Sequence, residues 1–175
     1  MKLFLKNVGE FLKDYPQVRL TRSDEILIRN SSMQCLGLDN VNHLRDRFEG
    51  QAFLDKTLKN IGALFACQKH LNIGISDLSE LNLRDFSPRI KINDKTLLIN
   101  VFNFGELPFI DLNDNNNNPT IFVIQKDKLT FMICGFAESE FIRDNLIEST
   151  EATSSSKNFK SFVGFKELQS INFLK

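Results

Sequence analysis

The chain has 175 residues, 42% hydrophobic and 25% charged, a length and balance that suit one compact domain with a full-sized core. Its 22 basic and 22 acidic side chains cancel, so no global field draws it onto nucleic acid or acidic lipid, and a nucleic-acid role requires a local basic patch. No apolar run approaches the roughly 18 residues of a membrane span, and the opening "MKLFLKNVGEFLKDY" is cut by Lys6 and lacks a small-residue cleavage site, so neither a membrane nor a secretion signal is expected.

In chain order, Leu3, Phe4, Val8, Phe11 and Leu12 fall on one helical face, and Pro16 limits that helix. "EILIR", Glu25 to Arg29, is a β-prone run expected either to pair at a sheet edge or to continue into the loop "NSSMQCLGLDN". From about Asn42 to Leu71, apolar residues recur at three- and four-residue steps, which predicts the main helix, with a break near Gly50. Gly62 and Ala63 would let another element approach it closely, and Asn72 to Gly74 would stop it. "SDLSEL" has the start of a capping box and predicts one or two helical turns. The period then becomes that of strands: "RIKI" and "TLLINVFNF" flank an Asn93-Asp94-Lys95 turn, followed by "LPFIDL", "TIFVIQ" and "LTFMICGFA". "ESEFIRDNLI" predicts a short helix, 148–158 a polar loop, and the final residues a strand and a short helix. The fold class is therefore mixed α/β (α+β), a central mixed sheet of about four to six strands flanked by helices. Within a single domain over 1–175, residues 1–82 are mainly helical, 83–137 strand-rich, and 138–175 a helix, a polar loop and a closing segment.

Most catalytic chemistries lack their residues. With only His43 and His70, and no two of Cys35, Cys67 and Cys134 at ligand spacing, a His/Cys metal site is not expected. The three thiols lie among apolar neighbours, which suits buried cysteines in a reducing, cytoplasmic compartment. No G-x-S-x-G elbow or phosphate-cradling glycine loop is present. "DLNDNNNN" fails as a calcium loop, because Asn116 stands where the turn needs Gly and Phe122 where a bidentate Glu is required. The 17 Phe are taken as packing material.

The segment "SPRIKINDKTLLINVF" carries the one informative pattern. With the helix before it and "PTIFVIQKDKLTFMICGFAESEFI" after it, it resembles the restriction-endonuclease-like superfamily, the PD-(D/E)xK nucleases, over roughly two thirds of the chain. In that plan a helical Glu, a Pro-Asp on one strand and an (Asp/Glu)-x-Lys on the next hold Mg²⁺ beside a scissile phosphate and prepare the attacking water. The resemblance implies that Glu49 is the helical acid, Pro88-Arg89 stands for Pro-Asp, and Leu98 and Asn100 occupy the acid-x-Lys positions. None of the fourteen Lys has Asp or Glu two residues before it, so that half of the motif is missing.

The expected protein is therefore nuclease-like in fold, catalytically degenerate and nucleic-acid-associated, with no cofactor, Mg²⁺ entering only for an active nuclease. Its candidate nucleic-acid-binding residues are Arg89, Lys91, Lys126 and Lys128. The alternative is a non-catalytic protein-interaction or assembly domain of an unrelated α/β fold, with a protein partner or a second copy of itself. A third reading is an active Mg-dependent endonuclease with ligands rearranged onto Glu49, Asp94, Glu106 or Asp111. The basic residues Arg19, Arg22 and Arg29, Arg45 and Arg47, and Lys126 and Lys128 read as separate solvated clusters interleaved with acids.

Overall fold

The computed structural model of the protein describes residues 1–37, 48–83, 86–111, 118–148 and 159–174. Its elements in chain order are α1 (Lys2–Asn7), β1 (Gln17–Arg19), α2 (Arg22–Cys35), α3 (Phe48–Leu71), β2 (Arg89–Ile92), β3 (Lys95–Asn103), β4 (Phe109–Asp111), β5 (Thr120–Gln125), β6 (Thr130–Ala137), α4 (Ser139–Asp144), β7 (Leu146–Glu148) and β8 (Phe159–Phe162). Short 3₁₀ turns lie at Gly9–Phe11, Leu78–Glu80, Phe165–Glu167 and Ile171–Leu174. The principal sheet has the order β1-β6-β5-β3-β2, with β3 and β5 parallel and the other pairs antiparallel. A smaller antiparallel sheet runs β4-β8-β7. The architecture is thus mixed α+β around a five-stranded mixed sheet.

Strand alternation sends side chains into two separate cores. Ile90, Ile92, Leu97, Ile99, Ile121 and Val123 pack with Leu58, Ile61 and Phe65 of α3 and Ile28 of α2. Phe102, Phe122, Ile124 and Met132 face the other way and meet Phe4 and Val8 of α1, Ile142 of α4, and Phe162 and Phe165. This second core is built largely of phenylalanine rings: Phe122 stacks on Phe162 at 4.4 Å, and Phe165 meets both edge-on or tilted. The phenylalanines named there serve as packing. β5 and β6, covered on both faces, are almost continuously apolar, as central strands must be.

Two glycines set how closely elements approach. A methyl group on Gly62 would lie 2.5 Å from Cζ of Phe131, so its absence lets α3 settle directly onto β6. Gly135 has φ of 136° and a virtual Cβ only 2.6 Å from the Gln169 carbonyl. It sits where Phe122 pairs with Gly135 but Val123 with Ile133, so that Cys134 is the extra residue of a bulge. There Phe136 and Gln169 exchange backbone hydrogen bonds of 2.9 and 3.0 Å, which tie down the C-terminal segment.

Several expectations change. "EILIR" is helical, inside α2, because Thr21 and Asp24 form a reciprocal capping box and Arg22, Glu25 and Arg29 form an i, i+3, i+7 charge ladder. These local gains outweigh the β preference of two isoleucines. The first helix ends at Asn7 and continues as a 3₁₀ turn. α3 runs through Gly50 without a break; its expected beginning at 42–47 lies outside the described residues, as do Arg45, Arg47, His43, most of the 148–158 loop and 112–117 of the rejected calcium loop. "ESEFIRDNLI" divides into α4 and β7.

Candidate functional site

The hairpin forms as its turn residues require. Asn93 takes φ of 54°, which an Asn tolerates, and closes β2 onto β3 with Arg89 directly opposite Leu98 and Lys91 opposite Thr96. Opposed residues share a face, and Asn100 lies two residues beyond Leu98, so Arg89, Leu98 and Asn100 stand together on one side of the sheet. The helix bearing Glu49 packs on the other side, against Leu97 and Ile99. The fold therefore brings together three of the four motif positions. Those three offer an amide oxygen and no carboxylate, which does not fit the Mg²⁺ that the resemblance implies.

Asn100 lies between two recesses. Its Nδ2 donates to the Phe109 carbonyl at 3.0 Å and so fastens β4 beside β3. One recess, of about 300 Å³, lies where β3 runs on beyond the end of β2, between Pro88, Lys59 and Asn60 of α3, and Glu106. Here Lys59 donates to Asn103 Oδ1 and Asn103 Nδ2 donates to Glu106 Oε2, both at 2.9 Å. Burial holds the Lys59 ammonium below its ordinary pKa, with Glu106 opposing. Among the described residues Glu106 is the only carboxylate lining this recess, and it is engaged through Asn103 with a lysine.

The other recess is a cleft of about 370 Å³ between the two sheets. Leu98, Asn100 and Thr120 form its floor, Ile110 and Asp111 one wall, and Ser139, Ile142 and Arg143 of α4 another. Phe109 and Phe159 line it while remaining 42% and 41% exposed, so two aromatic rings border a cleft of mixed polar and apolar lining at the hairpin. Neither ring stands out in the sequence among so many phenylalanines. The signal available in the sequence is their position beside the polar runs 111–118 and 148–158.

Of the rearranged metal ligands, Asp94, Glu106 and Asp111 stand apart, and the Glu49 side chain lies outside what the structure describes. Asp94 sits in the hairpin turn, Glu106 lines the first recess and Asp111 the second. Among the described residues no three His, Cys, Asp or Glu side chains are grouped to hold a metal ion. The four basic candidates divide as well. Arg89 and Lys91 lie on the edge strand, exposed, whereas Lys126 and Lys128 lie in the β5–β6 turn. Leu98, opposite Arg89, precedes by five residues the Asn103 that pairs with Gln125. At about 3.3 Å per residue along a strand and 4.8 Å between strands, the two pairs stand roughly 20 Å apart.

No described helix is long and apolar enough to cross a membrane. Comparison of the chain with protein-family models, curated proteins and solved structures finds no match.

Proposed function

We propose that this chain is a non-catalytic, nucleic-acid-associated domain on a scaffold resembling the restriction-endonuclease-like superfamily, and that the cleft beside its hairpin holds single-stranded nucleic acid. One observation carries the reading: Phe109 and Phe159, both about two-fifths exposed, border a cleft whose polar lining includes Asn100, Thr120, Ser139 and Arg143 together with one carboxylate, Asp111, beside an aliphatic floor. Exposed rings stack bases at about 1–3 kcal/mol each, whatever the base, while amides, hydroxyls and a guanidinium serve base edges and phosphates. The absence of carboxylates at Arg89, Leu98 and Asn100 supports binding without cleavage.

Fluorescence anisotropy with labelled 30-nucleotide DNA and RNA tests the reading. Binding should weaken about tenfold or more in Phe109→Ala/Phe159→Ala, and plasmid or single-stranded DNA should stay intact with Mg²⁺ or Mn²⁺. Metal-dependent cleavage would refute the non-catalytic assignment, and absence of binding would refute the nucleic-acid one.

A further inference from the structure

We propose that the surface built around Glu25 is a second contact site, one that takes the phosphodiester backbone of a nucleic acid. The sequence marks only Lys126 and Lys128 of this surface as nucleic-acid candidates; their assembly with Arg22 and Arg29 around Glu25 is new, while the identity of the polyanion rests on the reading above. β5 separates the two sites: Thr120, at its start, lines the cleft, and the turn after Gln125 carries Lys128.

Basic groups that lie far apart in the sequence meet here. α2 places Arg22 and Arg29 on either side of Glu25 along one helical face. The β5–β6 turn is closed by the Asp127 carboxylate, which accepts from the backbone of Leu129 and Thr130 at 3.0 and 2.9 Å, and it presents Lys128 to the same face. The Glu25 side chain is only 3% exposed, yet it receives Arg22 Nη1 at 2.6 Å, Arg29 Nη2 at 3.2 Å and Lys128 Nζ at 2.6 Å.

One carboxylate neutralises one cation, so this assembly leaves two positive charges over. They are displayed outward, since the Arg22 and Lys128 side chains remain 75% and 53% exposed. Exposed Arg19 and Lys126 extend the surface: Lys126 reaches Gln17 Oε1 at 3.3 Å, and Arg19 acts electrostatically on Asp127. Of the acids nearby, Asp24 is bound by Lys69, Asp127 is engaged by the turn amides, and Asp55 stands in the shallow groove beside Lys126 and Lys128. In a chain of zero formal charge, such a concentration of like charge is relieved by a polyanion, and arginine forks match phosphate oxygens.

The test is the triple variant Arg19→Gln/Arg22→Gln/Lys126→Gln, which leaves Arg29 and Lys128 on Glu25. Arg22 is a largely exposed partner, so circular dichroism melts should stay cooperative and within about 4 °C of wild type. Binding of the 30-nucleotide DNA is measured by anisotropy from 50 to 200 mM salt. The expected result is about tenfold weaker binding, with the slope of log K against log salt reduced by about two, while Lys2→Gln/Lys6→Gln, on the exposed face of α1 and outside both sites, changes neither. Unchanged affinity and slope in the triple variant, with the cleft variant still impaired, overturns this site and leaves the cleft reading intact. Weakening in the triple variant alone supports this site and overturns the cleft. No binding by the wild-type protein, or binding of anionic phosphatidylserine vesicles in place of DNA, overturns both.

Discussion

Gly62→Ala sets two effects of known size against each other. In the middle of a helix, alanine is better than glycine by about 1 kcal/mol, so on propensity alone the substitution stabilises. The added methyl, however, would stand 2.5 Å from Cζ and 2.9 Å from Cε2 of Phe131, a fully buried ring, and 3.4 Å from Leu20 Cδ1. Carbon atoms pack best at about 3.5–4.0 Å, so α3 and β6 must separate by about 1 Å or the ring must leave its place. Overpacking of this kind costs about 1–3 kcal/mol, and the larger contact deficit places this site in the upper half of that range. The net expectation is destabilisation of about 1–2 kcal/mol, or a fall in Tm of about 3–6 °C for a chain of this size. Thermal and urea melts of Gly62→Ala, Phe131→Leu and the double variant separate the two terms. In the Phe131→Leu background, where the end of the ring is gone, Gly62→Ala should become neutral or stabilising. A higher Tm for Gly62→Ala in the wild-type background would refute the close-approach argument.

Two further predictions concern charge and thiols. The Lys128 ammonium, donating to Glu25, holds that carboxyl below its ordinary value of 4.5 despite the opposing effect of burial. A carboxylate with a depressed folded pKa contributes stability above its unfolded pKa and loses it as pH falls through the folded one. The gap in Tm between wild type and Glu25→Gln should therefore be constant from pH 7 to 5 and shrink below about 4.5; a gap that widens on acidification would contradict the assignment. Burial pushes the Cys67 thiol up to about 12 and raises Cys134 well above its ordinary value, whereas Cys35 is partly exposed. At pH 8, 5,5′-dithiobis(2-nitrobenzoate) should react rapidly with one equivalent, from Cys35, and with all three thiols only after unfolding, and two rapid equivalents would refute the burial.

The strands with clear punctuation were legible in the sequence. Asn93 announced the hairpin through its tolerance of positive φ, and the apolar runs of β5 and β6 announced the centre of the sheet. Gly62 was legible as a point of close approach, although not its partner Phe131, because nothing local records which element lies across from a helix. β1 and β7, three residues each, are too short for a period to show, and their strand character comes from pairing with β6 and β8. Glu25–Arg29 was misread because a β-prone composition was weighed without the capping box four residues earlier. The cleft was half legible: Leu98 and Asn100 were marked through the hairpin, but Phe109, Arg143 and Phe159 reach it by tertiary folding alone. The convergence of Arg22 and Lys128 on one carboxylate is invisible at a separation of about a hundred residues.

The small sheet also has a consequence for the order of assembly. β4 leaves the principal sheet and pairs with β8, Phe109 opposite Ser161, closing a loop of about fifty residues. The length-dependent part of that closure costs on the order of 3–4 kcal/mol before any contact offsets it. All five strands of the principal sheet lie before residue 138, so they can pair before the last strand arrives. The cleft, whose walls include β4 and β8, is therefore completed last. By the same reasoning the backbone amides of β4 and β7, at the two edges of the small sheet, should open to hydrogen exchange before those of β5 and β6.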